Sequence, residues 1–344
     1  ARSAAEKITV DLDVLPPVVD LSTAIGNTQI HDEMDDNVYF DWELGDESVT
    51  ASALESAAKI VELTVTNNRV IPNAMEPRAA VAEYDETNES YTLYTTSQNP
   101  HLTRLVMAAF MMQIPESKLH VVAPDVGGGF GSKIYIYPEE AVCTWATKKL
   151  RRPIKWTAER SEAFLGDAHG RDHVNKVKIG LDQDNKIVGL RVDTLANLGA
   201  YLSAFSMVTP TYLHGTLLSG CYNIPAIYTN VKGVCTTTVN VDAYRGAGRP
   251  EATYLLERTM DYAARQVGMD PAEFRRINFI PKDAFPYQTA VALQYDVGDY
   301  EAPLDRALEM INYKGFEKRR SEAAQRGKYR GIGLSSYIEA CGIA

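Results

Sequence analysis

The chain has 344 residues, of which 45% are hydrophobic, so it is long enough for one large domain or for two to three ordinary ones. Its 35 basic and 45 acidic residues give a formal net charge of -10, which repels a phosphate backbone and argues against nucleic-acid binding. No run of eighteen apolar residues occurs, and the first residues lack the zones of a signal peptide, so neither a membrane span nor export is supported.

The spacing of the cysteines limits which metal sites and disulfides the chain can form. Cys143, Cys221, Cys235 and Cys341 are scattered, without a C-x-x-C pair. This spacing argues against a zinc ribbon, a disulfide framework or an iron–sulfur cluster held by this chain, and it favours a reducing cytoplasm.

Hydrophobic patterning predicts the first half of the chain as follows. Residues 7–20 alternate like a strand and lead into a polar linker. Further on, the pattern predicts these elements: a helix near 51–58, a strand near 59–66, a hairpin with arms at 78–84 and 90–96, a helix at 100–113 and a strand at 118–124.

The second half continues with mixed elements. The pattern predicts a helix at 138–150, a strand at 154–159, a long antiparallel pair around the turn at 182–185, a helix of about eighteen residues opening at Pro250, helices around 301–326 and a terminal strand with a glycine-rich turn. Frequent hairpins and the lack of a regular βαβ period indicate the α+β class.

A glycine loop follows the strand at 118–124. Its sequence, GGGFGSK at 127–133, fails the P-loop pattern because Lys133 comes after Ser132, and it fails the dinucleotide fingerprint because Ser132 occupies the third glycine site. Residues without Cβ let backbone N–H groups approach an anionic or oxo-bearing ligand closely. A tight turn that binds nothing remains an equal alternative for this motif alone.

Two further stretches favour a ligand. AYRGAGRPE at 243–251 places glycines and two arginines directly before a helix N-terminus, which is a natural anion site. SQNP at 97–100 places the neutral amide of Gln98 at a strand-to-helix junction, where it can donate to a ligand oxygen.

These three motifs, in this order and spacing, resemble the large molybdenum subunit of the xanthine dehydrogenase, aldehyde oxidase and aerobic carbon monoxide dehydrogenase family. The resemblance is closest to the carbon-monoxide-dehydrogenase-like branch and also covers NNRVIPNAMEPRAAVAEYD, IKWTAERSEAF, ANLGAYLS and RRINFIP. It implies the following division: residues 1–20 as the end of an N-terminal α/β hammerhead-like domain, 21–36 as a linker, 37–285 as the first part of the molybdopterin-binding domain, and 286–344 as the start of its second part.

The resemblance implies a molybdenum–molybdopterin cofactor, in the cytosine dinucleotide form, with no protein side chain on the metal. Gln98 would donate to a molybdenum oxygen, and the Arg245 backbone amide would lie near the metal. The implied catalytic residues are Gln98, Phe130 and Arg245. The implied cofactor-binding residues are Gln98, Gly128, Gly129, Phe130, Gly131, Arg245 and Gly246. The implied substrate-pocket residues are Tyr244, Ile134, Leu213 and His214.

Departures from the family's patterns bear on the substrate. Carbon monoxide oxidation uses a copper-binding cysteine where this chain has Gly246, so no soft ligand for Cu(I) is present in the loop. Purine enzymes carry a glutamate and an arginine where this chain has Ile134 and Leu213. An N-heterocycle or an aldehyde is therefore the expected substrate class.

The implied reaction is hydroxylation with water as the oxygen source. The family's catalytic base is a glutamate expected beyond Ala344, so residues 1–344 alone are expected to be inactive. Electrons would leave through partner subunits: an FAD-binding medium subunit and a small subunit with 2Fe–2S clusters, in a dimer of heterotrimers.

Other interpretations remain. The chain could be a carbon monoxide dehydrogenase-like subunit, a catalytically silent subunit that keeps these loops for folding, or a phosphate- or nucleotide-binding protein. His169 and His173 lie four residues apart, but they precede strand-like alternation and enclose no glutamate, which argues against HExxH zinc chemistry.

Overall fold

The computed structural model describes residues 2–340. Its strands are β1 (Val38–Gly45), β2 (Lys59–Asn67), β3 (Ala79–Asp85), β4 (Ser90–Thr95), β5 (Leu119–Val122), β6 (Ile154–Thr157), β7 (His173–Leu181), β8 (Ile187–Gly199), β9 (Ile227–Cys235), β10 (Tyr287–Gln288) and β11 (Gln294–Tyr295).

The α-helices alternate irregularly with these strands. They are α1 (Arg2–Ala5), α2 (Glu47–Glu55), α3 (Pro100–Val106), α4 (Pro138–Leu150), α5 (Arg160–Gly166), α6 (Tyr212–Gly215), α7 (Arg249–Gln266), α8 (Pro271–Asn278), α9 (Glu301–Met310) and α10 (Phe316–Gln325). A π-helix (Met107–Met112) continues α3, and 3₁₀ turns occupy Glu116–Lys118 and Tyr313–Gly315.

The larger sheet has the order β1-β9-β8-β7-β2. Its pairs are antiparallel except β8 and β9, which run parallel. Along β8 the buried Leu190 and Val192 alternate with the partly exposed Arg191 and Asp193, so the sheet has one apolar and one polar face. The apolar face packs against α7 through residues such as Leu255, and this contact forms the main core.

The smaller sheet has the order β5-β4-β3-β6 and is covered by α3 and α4. Its core contains Ala80, Leu93, Met107 and Cys143. The mixture of parallel and antiparallel pairs, with helices packed on each sheet, confirms the α+β prediction. In the described part of the chain, no helix combines the length and apolar character needed to cross a membrane.

Most predicted elements are present. The hairpin of β3 and β4, the helix α4 and the antiparallel pair of β7 and β8 match the sequence patterns. The helix predicted at 100–113 changes from α to π after Val106. Helix α7 begins at Arg249, one residue before the predicted Pro250.

Other predictions differ from the structure. Residues 8–20 form no strand in the described part of the chain, because alternation alone supplies no neighbouring edge. Residues 328–340 likewise contain no regular strand, and the last four residues of that predicted element lie outside the described residues. Strands β1 and β9 and helix α8 were not predicted.

Candidate active site

The Gln98 carboxamide is fixed by the glycine loop. Its oxygen accepts hydrogen bonds from the backbone N–H groups of Gly131, at 2.9 Å, and Lys133, at 3.3 Å. The Gln98 backbone N–H in turn donates to the Lys133 carbonyl at 2.8 Å. Because both partners of the side-chain oxygen are donors, the amide orientation is determined, and the NH₂ group points away from the loop. That NH₂ group meets no acceptor within residues 2–340.

Glycine is needed where the loop meets its neighbours. Gly131 has a φ of +104°, and a Cβ there would overlap the carbonyl oxygen of Ala243. A Cβ on Gly129 would overlap the Gln98 carboxamide. Side chains at Gly131 and Gly129 would separate the glycine loop from the Ala243 backbone and from the Gln98 side chain.

The second loop, residues 243–248, contacts the first through its backbone. The Arg245 N–H donates to the Phe130 carbonyl at 2.9 Å, and the Arg245 guanidinium lies 5.9 Å from the Phe130 ring centre. Gln98, Phe130 and Arg245 thus lie next to one another, and all three are exposed; the exposed region that they border is called the cleft below. The structure brings together the three stretches that the sequence singled out.

A buried lysine braces the glycine loop. Lys133, at 3% exposure, donates to the backbone oxygen of Glu76 at 2.8 Å and to its carboxylate at 2.9 Å. The same carboxylate accepts from the Gly127 N–H at 2.7 Å. Burial alone would raise the pKa of Glu76, but the bonds from Lys133 and Gly127 hold it below its usual range.

Arg171 braces the second loop. Its guanidinium donates to the carbonyl oxygens of Tyr244, at 2.7 Å, and Arg245, at 2.9 Å, and to the Glu251 carboxylate at 2.9 Å. Burial raises the pKa of Glu251, although Arg171 opposes this. Arg171 was not predicted as a site residue, although it lies between His169 and His173.

The predicted pocket residues divide into two groups. Ile134 packs with Phe205 and Ala247 against a small buried cluster that includes Tyr135 and Ala243 of the second loop. Phe205 was also not predicted as a site residue. Its position depends on a hydrogen bond from its own backbone N–H to the buried Asp242 carboxylate, which the sequence does not reveal.

Leu213 and His214 lie behind the second loop instead. They are 5% and 0% exposed, and their backbones pack against Gly248. Neither ring nitrogen of His214 makes a hydrogen bond of good geometry within residues 2–340, although the Gly248 backbone lies near enough to favour the protonated ring slightly. Burial lowers the pKa of His214 to about 4, so the ring is neutral at pH 7.

Among residues 2–340, no group of three or more histidine, cysteine or acidic side chains has the arrangement of a metal site. The donors around the cleft are instead an amide NH₂ and backbone N–H groups, which suit oxygen atoms of a ligand.

A family model described as the molybdopterin cofactor-binding domain matches residues 30–279. The chain belongs to this family. The match includes all three stretches around the cleft.

Two relatives of this chain are named as the large chain or large subunit of an enzyme. It is 36% identical to the carbon monoxide dehydrogenase large chain of Hydrogenophaga pseudoflava, over 99% of this chain and 45% of the relative. It is 30% identical to the nicotine 6-hydroxylase large subunit of Paenarthrobacter nicotinovorans, over 99% of this chain and 42% of the relative. The chain therefore spans less than half the length of these relatives.

Solved structures share its fold. Quinoline 2-oxidoreductase from Pseudomonas putida 86 superposes with a TM-score of 0.92 at 32% identity, over 98% of this chain and 43% of that one.

Proposed function

We propose that this chain is part of the large subunit of a molybdenum hydroxylase, which hydroxylates an N-heterocycle or an aldehyde with water as the oxygen source. The observation that carries the proposal is the convergence of the Gln98 NH₂ group and two glycine-containing loops on one cleft, in a chain of the molybdopterin cofactor-binding family.

The residues around the cleft fit this cofactor. The cofactor supplies the redox centre of the hydroxylation when bound. Gln98 would donate to one of its oxygens, and the backbone of 128–131 would lie against it because no Cβ intervenes at the glycines. Arg245 and Gly246 would approach from the other side. We propose the cytosine dinucleotide form, as the resemblance implies.

The chain's side chains also shape the substrate side. Phe130 and Tyr244 would form walls, and Ile134 with Phe205 would exclude water behind them. Leu213 and His214 would not touch the substrate, since His214 has no exposed surface. They would support the second loop by packing against Gly248. An apolar wall of this kind favours a flat aromatic ring or an apolar aldehyde over a charged substrate.

Carbon monoxide is the weaker candidate substrate. A copper centre needs a thiolate, and Gly246 occupies the position of the copper-binding cysteine. The cysteines of the described residues, Cys143, Cys221 and Cys235, are buried and lie outside the second loop.

The remaining parts of the enzyme follow from the same proposal. We assign an FAD-binding subunit and an iron–sulfur subunit as electron-carrying partners in a cytoplasmic dimer of heterotrimers, and a glutamate beyond Ala344 as the catalytic base. We also propose the domain division at residues 20, 36 and 285; the family match to 30–279 begins within the proposed linker and ends within the proposed molybdopterin-binding part.

The test is metal and pterin analysis of the full-length complex, followed by dye reduction with a panel of N-heterocycles, aldehydes and carbon monoxide. We expect about one molybdenum and one pterin per large subunit, and turnover with a heterocycle or an aldehyde. Absence of both would favour a silent subunit. Nucleotide-dependent thermal stabilisation without metal would favour a nucleotide-binding protein, and copper-dependent turnover of carbon monoxide would contradict the substrate assignment.

A further inference from the structure

Arg171 holds two successive carbonyl groups of the second loop. One guanidinium nitrogen bonds the Tyr244 oxygen, and another bonds the Arg245 oxygen. The side chain is 10% exposed, and its charge is balanced by Glu251, whose side chain is 1% exposed. The Tyr244 ring lies 5.0 Å from the guanidinium carbon and covers it.

These two hydrogen bonds from the Arg171 guanidinium determine where the backbone N–H groups of the second loop point. In a trans peptide the C=O and N–H groups are antiparallel, so a carbonyl turned toward Arg171 directs the following N–H away from it. The Arg245 N–H accordingly meets the Phe130 carbonyl. The Gly246 N–H, in the next peptide, has no acceptor within residues 2–340.

The chain adopts an uncommon backbone to place this side chain. Arg171 and Asp172 have φ values of 66° and 70°, in the left-handed region, directly before β7. The preceding Gly170 packs so closely on Tyr244 that a Cβ there would overlap the tyrosine Cβ. The left-handed backbone of Arg171 and Asp172 and the close contact of Gly170 thus place this segment directly against the second loop.

We infer that Arg171 is a positioning residue that aims the Gly246 N–H at an oxygen of the cofactor or of the substrate bound to it. This rests on the proposed function. A lysine cannot replace it, because an ammonium group lacks the planar fork that spans two carbonyls.

The test compares Arg171→Lys with Arg275→Lys in the full-length complex. Arg275 is the matched control, because it is also buried and bonds carboxylates and main-chain carbonyls, but it lies in α8 and contacts α7 and Leu334. The readouts are amide hydrogen exchange of residues 243–248, molybdenum content and the Mo(V) electron paramagnetic resonance spectrum.

We expect Arg171→Lys to speed exchange in this loop about tenfold, since charge-assisted hydrogen bonds are lost. It should also shift the Mo(V) spectrum and lower molybdenum content, while Arg275→Lys lowers the melting temperature without these changes. Glu251→Gln, which weakens the support of Arg171 without removing the fork, should shift exchange and spectrum in the same direction by a smaller amount, and it serves if Arg171→Lys does not fold.

The outcomes separate the two claims. If the wild-type complex is loaded and the Arg171 and Glu251 variants keep its loop exchange and Mo(V) spectrum, the inference is overturned and the proposed function stands. If the wild-type complex holds neither molybdenum nor pterin, the proposed function fails, and the inference falls with it.

Discussion

Gly131 shows how little space separates the two loops. Its φ of +104° and its contact with the Ala243 carbonyl both exclude a side chain. The glycine loop can be predicted because a run of glycines is visible in the sequence. The contact of Gly131 with Ala243 cannot be predicted in this way, because it joins residues more than a hundred positions apart.

Gly131→Ala should therefore cost more than the left-handed backbone alone, which accounts for about 1 kcal/mol. Gly268→Ala is the control, because Gly268 also has a positive φ, of +68°, but faces open space. We expect Gly131→Ala to lower both the melting temperature and the molybdenum content of the full-length protein, and Gly268→Ala to lower only the melting temperature slightly. Equal effects would contradict the proposed contact.

His214 makes stability depend on pH. Its pKa is about 4 when folded against an ordinary value of 6.5, so the unfolded chain binds more protons between these values. The free energy of unfolding should thus fall as pH drops from about 6.5 to about 4, by roughly 3 kcal/mol for a fully buried group. Burial, with His214 and Arg171 nearby, also lowers the pKa of His173.

Urea-unfolding midpoints of the full-length protein across this pH range check the prediction. His214→Gln should reduce the slope to what His173 and other groups contribute, whereas His101→Gln, at an exposed position, should leave it unchanged. An unaltered slope in His214→Gln would show that His214 does not titrate in this way.

At the scale of elements, sequence patterns predicted those helices and strands that local interactions stabilise. Helix α4 was predicted with its observed bounds because Pro138 and the acidic first turn mark its start. Strands β1 and β9 were missed although β1 carries a local signal, because Asp41 and Glu43 alternate with Phe40, Trp42 and Leu44 as in a half-buried strand. What the local pattern does not contain is the strand order, in which β1 pairs with β9 and β9 pairs with β8.

The support that Lys133 and Glu76 give to the glycine loop can be tested by substitution. Glu76→Gln removes the negative charge that faces Lys133 and Gly127, and it leaves the buried Lys133 ammonium with neutral oxygen partners only. We expect a loss of about 2 kcal/mol, below the value for a fully buried pair because Glu76 is partly exposed, and faster amide exchange at 126–133. Glu62→Gln, which breaks the exposed pair with Lys178, should change neither by a comparable amount. Unchanged exchange at 126–133 in Glu76→Gln would refute the brace.

At the scale of the whole molecule, a buried ionic network connects α7 and α8 with the irregular segment at 334–336. Arg275, fully buried, bonds Glu257 and Asp261 and donates to the Leu334 carbonyl. Glu257 also accepts from the Ser336 N–H at 2.7 Å. No sequence pattern predicted this network, because its members come from three separate elements.

Removing the arginine should detach that segment. Arg275→Met leaves Glu257 and Asp261 without their buried partner, which costs about 3 kcal/mol or more. We expect faster chymotrypsin cleavage near Tyr329 and Tyr337 in the full-length protein. Arg320→Met, which removes only an exposed pair with Glu317, is the control and should cleave like the wild type. Equal cleavage of both variants would contradict the role of the network.

The central claim is that the cleft between Gln98, the glycine loop and the second loop holds the molybdenum cofactor. The most direct measurement is an anomalous difference map at the molybdenum absorption edge, from crystals of the full-length protein. We predict a single molybdenum peak in this cleft, within reach of the Gln98 NH₂ group and facing the backbone of Phe130 and Gly246. A loaded protein whose molybdenum peak lies elsewhere would contradict the account.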